Sequence, residues 1–365
     1  MSYIGPKVHI DLHQLKKNYQ LVKSEVGEIP IMATVKANAY GHGAIKISKA
    51  LEREGVRYLA VFTIDEGIEL RDAGIKTDIF IYAKFDPIRI EEASKYNLTL
   101  NISSFDDLKA LKRHDGNAIK VHLKIDTGMT RLGVPLEQAE AFLKEANQLN
   151  SIELEGLYSH FATADEGDLS YANSQLSKFN EVVKIAKKLD IYPTFIHCSN
   201  SGAILNVKES RFNMVRAGML LYGAFPSDEV PQELPIKPVM TFTAPVVEIR
   251  DVKAGTHISY GGVYTTKSDT RIAVVQAGFA DGVPRPWYID GFVKFKDQNF
   301  KITGRICMDQ LMIDIGSADI QYGDEVLIFG SNEHGSIDIN HIAKKIDSTS
   351  YVLVTAIGIR PKRVY

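Results

Sequence analysis

Lys36 closes a short apolar run, Ile31 to Val35, and the residues behind it include Asn38, Tyr40, Gly41, His42 and Gly43. An uninterrupted apolar run reads as a strand buried on both faces. The carboxyl end of such a strand is where ligands approach an α/β sheet. Desolvation there lowers an amine's pKa, as a lysine needs if it is to form a Schiff base with a carbonyl. The competing reading is a strand-end lysine that extends its ammonium back to water.

Similar polar residues end the later strand-like runs. Lys124, Asp126 and Arg131 follow the fifth, His160 ends the sixth, His197, Asn200 and Ser201 follow the seventh, and Arg216 and Gly218 end the eighth. One strand-end histidine is more often a satisfied core residue than a catalyst, but these residues together would occupy one rim of a barrel. Barrel enzymes often bind phosphate with the loops after strands seven and eight. Ser201 supplies a hydroxyl at a helix start, and the backbone at Gly218 and Met219 can approach an anion closely because Gly218 lacks a Cβ. Tyr40 would add a phenol. A helix N-cap role for Ser201 is compatible with that contact.

The elements that must place these residues alternate. Strand-like runs fall at residues 7–11, 31–35, Tyr58–Phe62, Asp78–Tyr82, Leu98–Ile102, Ile119–Ile125, Leu154–His160, Thr194–His197 and Asn213–Arg216. Segments of helical period, such as Leu136–Leu149 and Ser174–Leu189, lie between most of them. Counted from the Lys36 strand, about eight units precede residue 225, the count that closes an α/β (β/α)8 TIM-like barrel. A doubly wound open sheet has a similar pattern. Four prolines between Phe225 and Pro238 mark a linker, and short β-branched runs follow, among them His257–Tyr260, Lys301–Ile306 and a last strand at Val352–Ile357. The expected domains are therefore a barrel over 1–235 and a mostly β domain over 236–365, with residues 1–10 candidates to pair with the latter.

Composition narrows the function. The 365 residues carry a formal net charge of -2, which offers no basic field for nucleic acid and no polybasic membrane patch. No apolar stretch reaches membrane-spanning length, and the first residues lack the pattern of a signal peptide. The two cysteines, Cys198 and Cys307, form no metal-spacing pattern. These features lead us to expect a cytoplasmic protein with free thiols.

Beyond the local chemistry, the chain resembles the alanine racemases along nearly its whole length. The matching motifs are Thr34–Gly43, HLKIDTGMTRLGV at His122–Val134, SHFATADE at Ser159–Glu166, HCSNS at His197–Ser201, NMVRAGMLLYG at Asn213–Gly223, SYG at Ser259–Gly261, GFADG at Gly278–Gly282 and GRICMDQ at Gly304–Gln310. The resemblance implies pyridoxal 5'-phosphate carried on Lys36, with Tyr40, Ser201, Gly218 and Met219 on its phosphate and Arg216 on its pyridine nitrogen. His160 joins this cofactor-binding set. It implies Arg131 on the cofactor oxygen and substrate, Tyr260 as a second base, and the Met308 N–H on the substrate carboxylate. Lys124, His197, Asn200 and Asp309 would support them. Family members are head-to-tail dimers in which Tyr260 and Met308 reach the other chain's barrel, and some carry a carbamylated lysine at the position of Lys124.

The implied chemistry is coherent. Racemisation removes a proton from one face of Cα and returns one to the other, so Lys36 and Tyr260 would flank that carbon. A tyrosine working near neutrality needs its pKa of about 10 lowered by roughly 2–3 units, and Arg131 or a protonated His160 would supply part of this. Arg216 is always charged and favours an unprotonated pyridine nitrogen, which shortens the carbanion's life and suits proton return over transamination. The implied activity is L-alanine to D-alanine interconversion, which supplies peptidoglycan synthesis. A serine or broad-specificity racemase on this scaffold is an alternative. A pyridoxal-phosphate decarboxylase fits the Arg216, SYG and GRICMDQ segments less well. A non-enzymatic pyridoxal-phosphate carrier would lack the β domain. Three positions depart from the family pattern: Thr130 replaces a small residue, Phe279 a tyrosine, and Ile359 a tyrosine bordering the substrate pocket.

Overall fold

Eight parallel strands form one sheet in the computed structural model, which describes residues 5–365. They are Ile31–Thr34, Tyr58–Val61, Asp78–Ile81, Leu98–Ile102, Ile119–Asp126, Ile152–Tyr158, Phe195–His197 and Val215–Ala217. The first seven pair in sequence order, each with the next, and Val215–Ala217 pairs back onto Ile31–Ala33. Between the seventh and eighth strands no ladder forms among the described residues; Arg216 N–H donates to the Ser199 carbonyl at 2.9 Å and Asn213 N–H to the Ile196 carbonyl at 3.4 Å. The sheet is thus a nearly closed (β/α)8 barrel. Its interior is filled by Met32, Tyr58, Phe80, Tyr158 and Phe195. Two histidines join them, His122 stacked on Phe80 at 4.7 Å and His197 on Tyr158 at 5.0 Å.

Two compact units divide the chain, one of residues 15–39 and 44–236, the other comprising the residues through Gln14, 40–43 and 237–365. The second is mostly β. Its central strand, Met240–Val252, pairs with Lys7–Ile10, Thr270–Val275 and Glu325–Asn332, and Lys7–Ile10 pairs in parallel with Lys362–Val364. Among the described residues, no helix is long and apolar enough to cross a membrane.

Three expected strands differ in this unit. Val352–Ile357 lies within and just beyond a helix, Ser350–Thr355, although its β-branched residues favour a strand. Ser350, Leu353 and Val354 are the buried members, a spacing of three and four that only a helix can satisfy. The last strand is Lys362–Val364. Lys301–Ile306 contributes little more than Lys301, which ends the Gln298–Lys301 strand, plus one bridge from Ile302 to Ile313. The run at His257 stops at Ile258, and Tyr260 begins a 3-10 turn.

The conformation after Lys36 was not legible in the sequence. Ala37, Asn38, Ala39 and Tyr40 have φ of 53°, 54°, 54° and 50°, making one turn of left-handed helix without a glycine. Such a turn costs about 1–2 kcal/mol per L-residue, so local contacts must hold it. Glu66 accepts from the Ala37 and Phe62 N–H groups, both at 2.7 Å. Ala39 N–H donates to Val35 O at 2.8 Å, and Asn38 Oδ1 accepts from Ala44 N–H, also at 2.8 Å, at the start of the Ala44–Arg53 helix. Removing the Asn38 amide takes away both this cap and the residue type that best tolerates a left-handed backbone. Asn38→Ala should therefore lower unfolding free energy by about 1–2 kcal/mol, read from urea melts, whereas Asn38→Asp should hold most of it.

Candidate functional site

Arg216 is the hub of the barrel rim. Its Nη1 donates to His197 Nδ1 at 2.7 Å and to His197 O at 3.2 Å. Nη2 donates to Ser159 O at 2.8 Å, Cys198 O at 3.0 Å and His160 Nδ1 at 3.0 Å. An arginine has only donors, so both imidazoles must present a bare Nδ1 to it. Burial first, and then Arg216 itself, hold the pKa values of His160 and His197 well below the usual range. His160 is therefore neutral. The expectation that a protonated His160 lowers a tyrosine pKa is corrected: its ring is an acceptor for a guanidinium and has no charge to offer.

Cations crowd the same rim. Burial, then Arg131, lowers the Lys36 pKa, against a smaller opposing effect of Glu66. Lys36 Nζ lies 5.6 Å from the centre of the Tyr82 ring. The Lys124 pKa falls to about 8 through burial, then Arg131 and Arg216, with Asp126 opposing. Asp126 also shapes the loop that carries Arg131, its Oδ1 accepting from Gly128 N–H at 2.9 Å and Thr130 N–H at 3.1 Å. Thr130 sits at φ 54°. A β-branched residue is strained there.

The loops after strands seven and eight meet through Ser201. Asn200 caps the Ser201–Asn206 helix, accepting from Ala203 N–H at 3.0 Å. Ser201 Oγ accepts from Gly218 N–H at 3.0 Å, and Met219 begins the next short helix. The Ser201 hydroxyl proton has no acceptor among the described residues. Tyr40 ends the left-handed turn, its ring 6.1 Å from that of Tyr351.

Within the β unit, Tyr260 is 65% exposed and follows Ser259, itself at φ 64° and anchored by donation to Arg305 O at 2.6 Å. The Met308 turn is seated on Gly278, where a Cβ would come within 2.3 Å of Met308 O. Met308 O and Cys307 O accept from Ala280 and Phe279 N–H at 3.0 and 3.1 Å, and the Met308 N–H has no partner among the described residues. Asp309 accepts from Arg360 Nη1 at 2.7 Å, and Arg360 Nε donates to Asp281 at 2.9 Å. Ile359 is 96% exposed.

The barrel residues fit the cofactor that the motifs imply. Lys36 is a partly desolvated amine. Four Arg216 terminal N–H groups are engaged, while its Nε–H has no partner among the described residues. Ser201 retains a proton to donate. No group of His, Cys, Asp and Glu suited to a metal ion occurs among the described residues. Sequence reasoning gave no role to Tyr58, His122 or Glu155; His122 meets His197 of this rim, and Glu155 and Tyr58 lie behind it in the barrel. The signal available for His122 was its spacing of two from Lys124, which puts both on one strand face.

Comparisons with known proteins agree over the full length. The family described as alanine racemase, N-terminal domain, matches residues 10–226, and that described as alanine racemase, C-terminal domain, matches 239–365. The alanine racemase of Halothermothrix orenii is 40% identical over 361 residues, covering 98% of this chain and 95% of the relative. That of Desulforamulus reducens is 39% identical, covering 98% and 97%. Among solved structures, alanine racemase of Clostridium difficile 630 superimposes with a TM-score of 0.95 at 36% identity, covering 100% and 96%. The Bacillus anthracis alanine racemase with bound L-Ala-P gives 0.93 at 33%, covering 100% and 95%.

The depressed Lys124 pKa makes a pH prediction. A lysine with a folded pKa near 8 and an ordinary value of 10.5 binds its proton less tightly when folded, so its cost is full below pH 8 and disappears above 10.5. In carbonate-free buffer Lys124→Met should be more stable than wild type at pH 7 by about 1–3 kcal/mol. That advantage should shrink as pH rises to 10.5. A pH-independent difference would show that Lys124 is not desolvated.

Proposed function

Because the chain belongs to the alanine racemase family through both of its halves, we propose that it interconverts L- and D-alanine with pyridoxal 5'-phosphate. Lys36, Arg216 and Ser201 would hold the cofactor, with Tyr40, Gly218, Met219 and Arg131 completing its contacts. The observation that carries the reading is Arg216: a guanidinium held by histidines and carbonyls, with one N–H left for a ring acceptor. When bound, the cofactor supplies an electron sink that makes the substrate Cα–H acidic.

The residues of the chain supply the rest. Lys36 Nζ, its pKa lowered by burial and Arg131, takes or returns the proton on the D face of Cα. Tyr260 Oη serves the L face, and the unpartnered Met308 N–H receives the substrate carboxylate. Arg216 withholds a proton from the ring nitrogen because it has none to transfer at working pH. Tyr260 and Met308 belong to the β unit, so we assign them to the partner's site in a head-to-tail homodimer. The exposure of Tyr260 and Met308, 65% and 55% in the single chain, supports that assignment. The product would feed peptidoglycan synthesis in the cytoplasm.

A chiral assay on purified protein with L-alanine tests the activity, and absence of D-alanine formation by cofactor-loaded protein would reject it. Lys36→Ala and Tyr260→Phe should each be inactive. Mixed with subunit exchange, they should regain activity at about a quarter of wild-type sites, since half the dimers carry one complete site. No recovery would mean that each chain builds its own site. Substrate breadth gives a second test. On the resemblance that sets Ile359 where the family has a pocket-side tyrosine, Ile359→Tyr should lower kcat/KM for L-serine relative to L-alanine by about tenfold. An unchanged ratio would remove Ile359 from the pocket wall.

A further inference from the structure

A line of polar side chains runs from Arg216 into the barrel interior. His197 Nε2 lies 3.0 Å from His122 Nδ1, and His122 Nε2 lies 3.5 Å from Glu155 Oε2. The last distance is long for a hydrogen bond, and His122 Nε2 has no other partner although fully buried. Tyr58 donates to the same Glu155 oxygen and also meets Thr99 Oγ1 at 2.9 Å. Arg57 Nη2 and Lys120 Nζ approach Glu155 Oε1 at 3.8 and 4.0 Å, and Asp78 pairs with both of these cations.

The proton positions follow from what each end can do. Arg216 can only donate, so His197 Nδ1 is bare and its proton is on Nε2. That N–H must donate to His122 Nδ1, which places the His122 proton on Nε2, facing Glu155. An ionised carboxylate can only accept. Its burial opposes ionisation, but His122 and Tyr58 lower the Glu155 pKa overall. The two ends of the line therefore demand the same direction of donation.

The backbone is shaped for this line. Pairing between the Ile119–Asp126 and Ile152–Tyr158 strands passes from Val121–Leu154 to His122–Gly156, leaving Glu155 as an extra residue in a bulge. Bulges re-aim side chains, and here the bulged residue is the carboxylate. Next to it, a Cβ on Gly156 would fall 2.3 Å from the His122 ring, so glycine is what admits the imidazole.

We propose that Glu155 is a positioning residue for the cofactor-facing arginine, fixing the protons of His122 and His197 so that Arg216 meets a bare Nδ1. The role assigned to Arg216 rests on the racemase reading; the proton pattern does not. Losing Glu155 leaves the His122 N–H buried without an acceptor. The pair can relieve this only by reversing both rings, which sets His197 Nδ1–H against the Arg216 donor and weakens its hold.

Nitrogen NMR of protein labelled with 15N-histidine tests the assignment, since bare and protonated ring nitrogens resonate apart. In wild type, with and without cofactor, His122 and His197 should both be neutral with the proton on Nε2 between pH 6 and 9. A cationic ring, or a proton on His197 Nδ1, would overturn the proposal. Glu155→Met should populate the reversed His197 form and lower kcat by about tenfold, the size typical of an outer-shell partner. Glu155→Gln, which still offers an oxygen, should restore most of both. Unchanged His197 signals in a folded Glu155→Met protein would make Glu155 a plain structural residue. A wild type that shows the pattern but does not racemise alanine would reject the function and uphold the proton assignment.

Discussion

A guanidinium cannot accept a hydrogen bond, and most of the barrel rim is arranged around that fact. Three carbonyls, from Ser159, His197 and Cys198, and two imidazole nitrogens turn toward Arg216. Each acceptor comes from a strand end or one of the two residues after it, so the geometry of the seventh strand and its neighbours is bound to one side chain. Strong donors in a low-dielectric interior are costly when left unpaired. Here the terminal nitrogens are satisfied by groups that cannot move independently of the barrel. The guanidinium is consequently fixed without any carboxylate beside it, which leaves its full positive charge felt across the rim.

That charge sets the tone for its neighbours. Lys36 and Lys124 are both pushed toward the neutral amine, by burial first and by arginines second. Asp126 is the acidic group that opposes this at Lys124, and two backbone N–H groups already occupy one of its oxygens. A concentration of positive groups in one basin is unfavourable for the fold alone. It would suit the proposed site, which would receive a phosphate and a carboxylate, both anions. Stability and function thus draw in opposite directions at these residues.

The sequence disclosed the barrel because buried parallel strands are continuous apolar runs, and all eight could be counted. It disclosed the rim residues because strand ends are where a barrel keeps its chemistry. It failed where tertiary contacts override local preference. Val352 to Thr355 reads as a strand by composition and folds as helix because its buried side chains recur at three and four. The left-handed turn after Lys36 has no glycine to announce it, and depends on Glu66, far along the chain. His160 looked like a source of charge when considered alone. Only the position of Arg216 against its Nδ1 shows that it must stay neutral.

The left-handed turn also changes how substitutions near Lys36 should be interpreted. Four successive residues occupy backbone angles that β-branched side chains resist. A valine or threonine introduced at 37, 38 or 39 would first unwind the turn, and the lysine at its root would shift with it. Loss of activity in such a variant would report on backbone handedness and say nothing about the side chain removed. Positions 37–39 therefore constitute a conformational filter on variation. The alphabet they permit is short because of geometry, even where no atom of the side chain takes part in the reaction.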